Sequence, residues 1–224
     1  MNVNQRMKAE QLLNIKESLL GKKSETLLKV LSTEECKIIL KGAGVRNRIF
    51  TPLTTLYTFI KQVLSADRSC KNAVAGVIVE RLVEEKSTVC TNTGSYVKAR
   101  NRLPENSIYA LVKTVGASCY SNVACNWKPY GRDLKAIDGT IITLPDTQKN
   151  NKAYPKHSNK KKVIGFPQIR LVAVLSLITG AVVDYALDAS KGKGTGELSL
   201  LRRLLDSINE QDLVVADRLY CNFF

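Results

Sequence analysis

Two aspartates stand out by their settings. Asp138 lies within Lys135-Ala136-Ile137-Asp138-Gly139-Thr140-Ile141-Ile142-Thr143, an apolar, β-branched run with a glycine directly after the acid. Asp217 closes a second short apolar run, Leu213-Val214-Val215-Ala216-Asp217-Arg218. Val, Ile and Thr favour strands, and a charge is rarely buried without a partner. Each aspartate therefore needs solvent or a cation. Two strands that deliver carboxylates to one place make a divalent-metal site.

The remaining acids near these runs have plainer uses. Asp146, in Pro145-Asp146-Thr147, suits a turn or cap. Asp184 alternates with Val183 and Tyr185 and is expected to face solvent. Glu197 begins a helix, where a negative charge suits the macrodipole. Asp206, Glu210 and Asp212 are expected at the surface.

The elements that must position the pair follow from hydrophobic spacing. From Asp138 the chain reads as α/β. Ile169 to Ile178 is nearly all apolar and predicts a strand buried on both faces. Thr179-Gly180 turns it into a hairpin partner, Ala181 to Leu187. Lys191-Gly192-Lys193-Gly194-Thr195-Gly196 lacks the Gly-Lys-Ser/Thr of a phosphate loop. It reads as a flexible loop before a helix with Leu198, Leu201, Leu204, Leu205 and Ile208 on one side; its free N–H groups can meet a phosphate. Residues 149–162 hold six lysines, His157 and no acid, and read as an exposed loop.

Before residue 127 the pattern is helical. Leu12, Leu13, Ile15, Leu19 and Leu20 share one face. Ser32-Thr33-Glu34-Glu35 has capping-box form ahead of Cys36 to Leu40. Thr51-Pro52 opens a helix, with Leu53, Leu56, Tyr57, Ile60 and Leu64 as its stripe. Another helix spans about 69–85, striped by Val74, Val77, Ile78 and Leu82. A short basic helix with Lys98, Arg100 and Arg102 stops at Pro104. It reads equally as the second helix of a DNA-binding helix-turn-helix or as a solvated face. Residues 122–132 read as a linker. The boundary divides a helical region, 1–126, expected to bind DNA, from a second region, 127–224.

The net charge of +14 and pI near 9.6 favour a polyanionic partner. Residues 1–137 carry 22 Lys and Arg against 11 acids, and residues 138–224 carry 12 against 9. The six cysteines form no CxxC pair and there is one histidine, which excludes a zinc-finger pattern. No signal peptide or long apolar span is visible, and reduced thiols in a cytoplasmic protein are expected.

The order of elements is strand with Asp, strand, strand, helix, strand with Asp. It is accompanied by Asn92-Thr93-Gly94-Ser95-Tyr96, Ala99-Arg100, Arg102-Leu103-Pro104, Asp138-Gly139-Thr140, Pro145-Asp146-Thr147, Gly165-Phe166-Pro167, Thr179-Gly180-Ala181, Gly196-Glu197 and Ala216-Asp217-Arg218. This ordered set resembles the DDE transposases of the insertion-sequence-four family. The resemblance implies an α+β or α/β chain: an all-helical N-terminal region, then an incomplete ribonuclease-H-like mixed sheet with a helix.

It also implies metal-dependent cleavage of DNA at insertion-sequence ends and transfer of the strand to target DNA. Asp138 and Asp217 would be the catalytic and metal-holding acids for Mg2+ (or Mn2+), Asp138 bridging two ions. Lys98, Arg100, Arg102, Lys156, Lys160, Lys161, Lys162 and Arg218 would meet DNA. The family's third acid, in a Tyr-Arg-Glu-Lys signature, has no counterpart up to Phe224. The expectation is a C-terminally truncated transposase in the bacterial cytoplasm at the nucleoid, alone little able to cut. Its partners would be DNA and a second copy or a full-length transposase, with no membrane. The alternative is a non-catalytic DNA-binding fragment that regulates or inhibits the full-length enzyme. A third reading is a poorly folding product whose sheet lacks a strand.

Overall fold

The computed structural model describes residues 33–41, 48–87, 90–121, 123–156, 158–159, 162–163 and 165–220, with backbone alone for 158–159 and 162–163. The stripe expected at Leu12 to Leu20 lies outside the described residues. The chain divides into two compact units, Met1–Leu111 and Val112–Phe224.

The first unit is helical. α1 (Glu34–Lys41) starts where the Thr33 hydroxyl accepts the Cys36 N–H. α2 (Pro52–Leu64) is capped by Thr51, whose hydroxyl accepts from Thr54 N at 3.2 Å, with Pro52 at the first turn. α3 (Cys70–Val83) is capped by Ser69 in the same way. α4 (Gly94–Arg100) ends before Pro104, and α5 (Glu105–Ser121) follows, its residues from Val112 onward belonging to the second unit. Phe50, Val74, Val77, Tyr96 and Ala99 form the apolar cluster.

The α2 stripe is more polar than its spacing predicts. Thr55, Thr58 and Gln62 are buried beside Leu56 and Tyr57, whereas Leu53, Ile60 and Leu64 are half-buried. The threonine hydroxyls bond back to Thr51 and Thr54 carbonyls, which satisfies them internally. Leu82, in the last turn of α3, is exposed.

The second unit holds an open, mixed four-stranded sheet, so the described chain is α+β. Its strands are β1 (Leu134–Thr143), β4 (Gln168–Ser176), β5 (Val182–Ala189) and β6 (Leu213–Ala216), in the order β5-β4-β1-β6. β4 is antiparallel to both β1 and β5, and β6 is parallel to β1. A turn with Gly180 at φ +70° joins β4 to β5. The crossover from β5 to β6 passes through α7 (Glu197–Arg202). Leu200, Leu201 and Leu204 press on Ile137, Val172, Val174 and Ala186, with Tyr220 closing the cluster.

Several expectations change. β4 buries one face, Val172, Val174 and Ser176, and leaves the alternate residues half-exposed, because α7 covers that single side. α7 turns Leu200 inward, while Leu205 is exposed. Asp184, expected in solvent, is 3% exposed. It pairs in register with Val174 and shares its face with Ala186, and Lys113 of α5 neutralises it at 2.9 Å.

Part of the 149–162 loop is ordered as well, as α6 (Gln148–Ala153) and the short pair β2 (Ser158–Asn159) and β3 (Lys162–Val163). Local bonds rather than burial hold α6. Thr147 caps Asn150 N, Asn150 reaches the Pro145 carbonyl, and Asp146 accepts from Asn151 and Lys156.

Candidate functional site

β1 and β6 run side by side in parallel, paired from Leu134↔Leu213 to Ile137↔Ala216. Asp138 and Asp217 each follow the last pair directly. The two acids therefore hold equivalent positions on neighbouring strands, which in any sheet lie about 4.8 Å apart. Both are exposed.

A buried ion pair links β1 to the residue that leads into β6. Lys135, 5% exposed, donates from Nζ to Asp212 Oδ2 at 2.6 Å and to the Ser207 carbonyl at 2.9 Å. Asn209 N donates to the same Asp212 oxygen at 2.6 Å. Asp212, expected at the surface, is instead buried with its side chain 3% exposed, because Lys135 brings the counter-charge into the interior. A one-residue slip between strands would send each side chain to the other face. It would part this pair and move Asp217 away from Asp138.

Each aspartate is oriented by a backbone amide. Asp138 Oδ1 accepts Gly139 N at 2.8 Å, and Asp217 Oδ1 accepts Leu219 N at 3.0 Å. Among the described residues neither forms an ion pair with a lysine or arginine.

A third carboxylate approaches the same strand end. Glu197, at the start of α7, accepts a hydrogen bond from the Tyr220 hydroxyl at 3.0 Å. The two lie directly over Gly139: a Cβ there would come within 2.7 Å of the Tyr220 oxygen and 2.9 Å of a Glu197 oxygen. Burial pushes the Tyr220 phenol well above its usual range. The Glu197 bond and charge and the Asp138 and Asp217 charges push it further. Sequence reasoning did not place Glu197 and Tyr220 here. The available signal was Gly139, the glycine directly after the acid, where an added side chain would meet the ends of both.

This donor set suits a hard divalent cation: carboxylate oxygens, exposed, with negative charge left uncompensated at the strand ends. Asp138 and Asp217 are the two residues that could hold it. Among the described residues no group of three His, Cys, Asp or Glu is placed to enclose an ion.

The basic residues fall into separate settings. Lys98 and Arg102 are exposed in the helical unit. Arg100 turns inward, stacked at 4.5 Å on the Phe59 ring and donating to Gln62 Oε1 at 3.3 Å. Lys156 is tied to Asp146 at 2.7 Å, which holds the Asp146 carboxyl below its usual range. The side chains of Lys160, Lys161 and Lys162 lie outside the described residues. Arg218 is exposed beside Asp217. Sheet topology thus brings Asp138, Asp217 and Arg218 together.

Residues 129–223 match the family model of the transposase DDE domain. The chain is 26% identical over 124 residues to the transposase InsG for insertion sequence element IS4 of Escherichia coli (strain K12). That alignment covers 55% of this chain and spans 27% of the length of that relative. No solved structure matches. Among the described residues no helix is long and apolar enough to cross a membrane.

Proposed function

We propose that this chain, which matches the transposase DDE domain over residues 129–223 and resembles an IS4 transposase, is a DDE transposase of the IS4 type that acts in DNA transposition, in metal-dependent strand cleavage and transfer at insertion-sequence ends. The observation that carries the reading is the parallel β1–β6 register, with Asp138 and Asp217 one residue past its last pair. In this reading the mixed sheet and α7 are part of a ribonuclease-H-like domain, and the helical unit contributes DNA contacts through Lys98 and Arg102.

Asp138 and Asp217 would hold Mg2+ or Mn2+. When bound, such an ion lowers the pKa of an attacking water or hydroxyl and offsets charge on the leaving oxygen of a phosphoryl displacement. The chain's own residues do the positioning. Gly139 N and Leu219 N each fix one carboxylate oxygen, which aims the rest of the group outward. Lys135 and Asp212 keep the strands in register. Arg218 adds a cation beside Asp217 for a DNA phosphate. DNA, in the bacterial nucleoid, is the partner, together with a second copy or a longer transposase.

The test is nicking of supercoiled plasmid by the whole chain with Mn2+. Nicking that disappears in Asp138→Ala and in Asp217→Ala supports the reading. Duplex binding without nicking in the wild-type chain overturns it in favour of a non-catalytic DNA-binding role.

A further inference from the structure

Arg170 occupies β4, a central strand, opposite Ile141 on β1 and Asp188 on β5. A guanidinium in that place requires an anion or a full set of acceptors. Asp188 forms no ion pair with it; its carboxylate is bonded to Arg203 at 3.2 Å instead. Arg170 instead makes two long bonds, to the Thr195 carbonyl at 3.4 Å and the Ser190 carbonyl at 3.5 Å, near the outer limit of a hydrogen bond. Its Nε is buried and has no hydrogen-bond partner among the described residues. Among the described residues no carboxylate pairs with it.

Those two carbonyls belong to the two ends of one loop, so the guanidinium lies beneath residues 190–195. The loop presents Lys191 and Lys193, both exposed, and no acid. Gly194, at φ +77°, has nothing within 4 Å of the place a side chain would fill. A backbone open in this way admits close approach of a ligand. The loop runs directly into Glu197, whose carboxylate lies over Gly139, the neighbour of Asp138. Unmatched positive charge and an open backbone therefore adjoin the acidic strand ends.

We propose that Arg170 and the Lys191–Gly194 loop form a seat for a phosphodiester of the DNA backbone, beside the Asp138–Asp217 centre. The seat rests on the reading of this chain as a DNA-cleaving transposase. Arg170 supplies a fork that can hold two phosphate oxygens at once. Lys191 and Lys193 supply charge, which makes the contact salt-dependent and indifferent to base sequence.

The experiment is anisotropy of a labelled duplex with the whole chain, in EDTA, across a series of NaCl concentrations. Lys191→Ala/Lys193→Ala changes only exposed side chains. It is expected to weaken binding several-fold at low salt and to flatten the slope of log affinity against log salt by about 1 to 2. Arg170→Lys keeps the charge and loses the fork, and is expected to weaken binding too. Unchanged affinity and slope in both variants overturn the seat. So does a loss confined to Arg170→Ala with a lowered melting temperature, which would make Arg170 a strap for the loop. Absent or salt-independent binding by the wild-type chain also overturns it. Failure of the cleavage reading looks different: binding depends on these residues, Asp138→Ala binds with the wild-type slope, and no nicking is seen with Mn2+.

Discussion

The two units handle polar groups in opposite ways. In the helical unit the polar interior is closed on itself. Gln62, buried on α2, accepts from the Tyr96 hydroxyl at 2.7 Å and from Arg100, and donates to the Arg68 carbonyl at 2.7 Å. A basic residue that could have met a polyanion is used to hold three helices together. In the sheet unit one polar pair, Lys135 and Asp212, is closed just as tightly. Yet Asp138, Asp217 and Arg170 form no ion pair among the described residues, all around one end of the sheet. A group left unmatched in a folded protein marks a place where a ligand is expected. By that measure the proposed chemistry falls to the sheet unit, while the buried polar groups of the helical unit support its own shape.

The comparison breaks first at Lys135. Lys135→Met leaves Asp212 charged and buried, and should destabilise the sheet unit by about 3–5 kcal/mol. Lys135→Met/Asp212→Leu removes both charges and should recover most of that loss. Urea unfolding gives the energies, and hydrogen exchange at the β6 amides reports whether that strand still pairs with β1. A loss as small as that of an exposed ion pair, at most about 1 kcal/mol, would show that the pair does not set the register.

A smaller effect is expected at Gly139. An added methyl meets the ends of Tyr220 and Glu197 rather than backbone, so those side chains must move and their hydrogen bond must lengthen. Gly139→Ala should cost about 1–3 kcal/mol. Tyr220→Phe, which removes the oxygen nearest the new methyl, should make the two changes non-additive. Strict additivity in a double-mutant cycle would separate Gly139 from the Tyr220–Glu197 pair and sharpen the site to the two aspartates alone.

Much of this arrangement can be read from local sequence. Thr51-Pro52 and Ser69 cap helices because capping needs only neighbours three residues away. The Asp138 strand, the hairpin at Thr179-Gly180 and the crossover helix before Asp217 follow from apolar runs and their breaks. What the sequence does not reveal depends on partners far along the chain. Asp212 is buried by a lysine 77 residues away, and Asp184 by Lys113. Alternation along β5 gives a period of two but not which of its faces α7 covers. Arg100 reads as a surface cation because its spacing from Phe59 and Gln62 is set only once the helices meet. Glu197 has a sufficient local use at a helix start, which conceals its approach to Gly139.

The least disruptive change tests the helical side of the comparison. Tyr96 is fully buried, with its ring 5.4 Å from Phe50. Tyr96→Phe keeps that packing and removes one O–H donor. Gln62 Oε1 still accepts from Arg100 at 3.3 Å, so no acceptor is stranded. The cost should be about 1 kcal/mol, that of one net hydrogen bond. Gln62→Leu should cost more, because it leaves the Tyr96 hydroxyl without its acceptor and removes one of the acceptors of Arg100. Urea unfolding of both variants, with hydrogen exchange on the α4 amides, ranks them. A Tyr96→Phe loss equal to that of Gln62→Leu would mean that the network acts as one indivisible unit through Tyr96. The reverse order would mean that Gln62 is dispensable and that the helical unit, like the sheet end, holds a polar group in reserve.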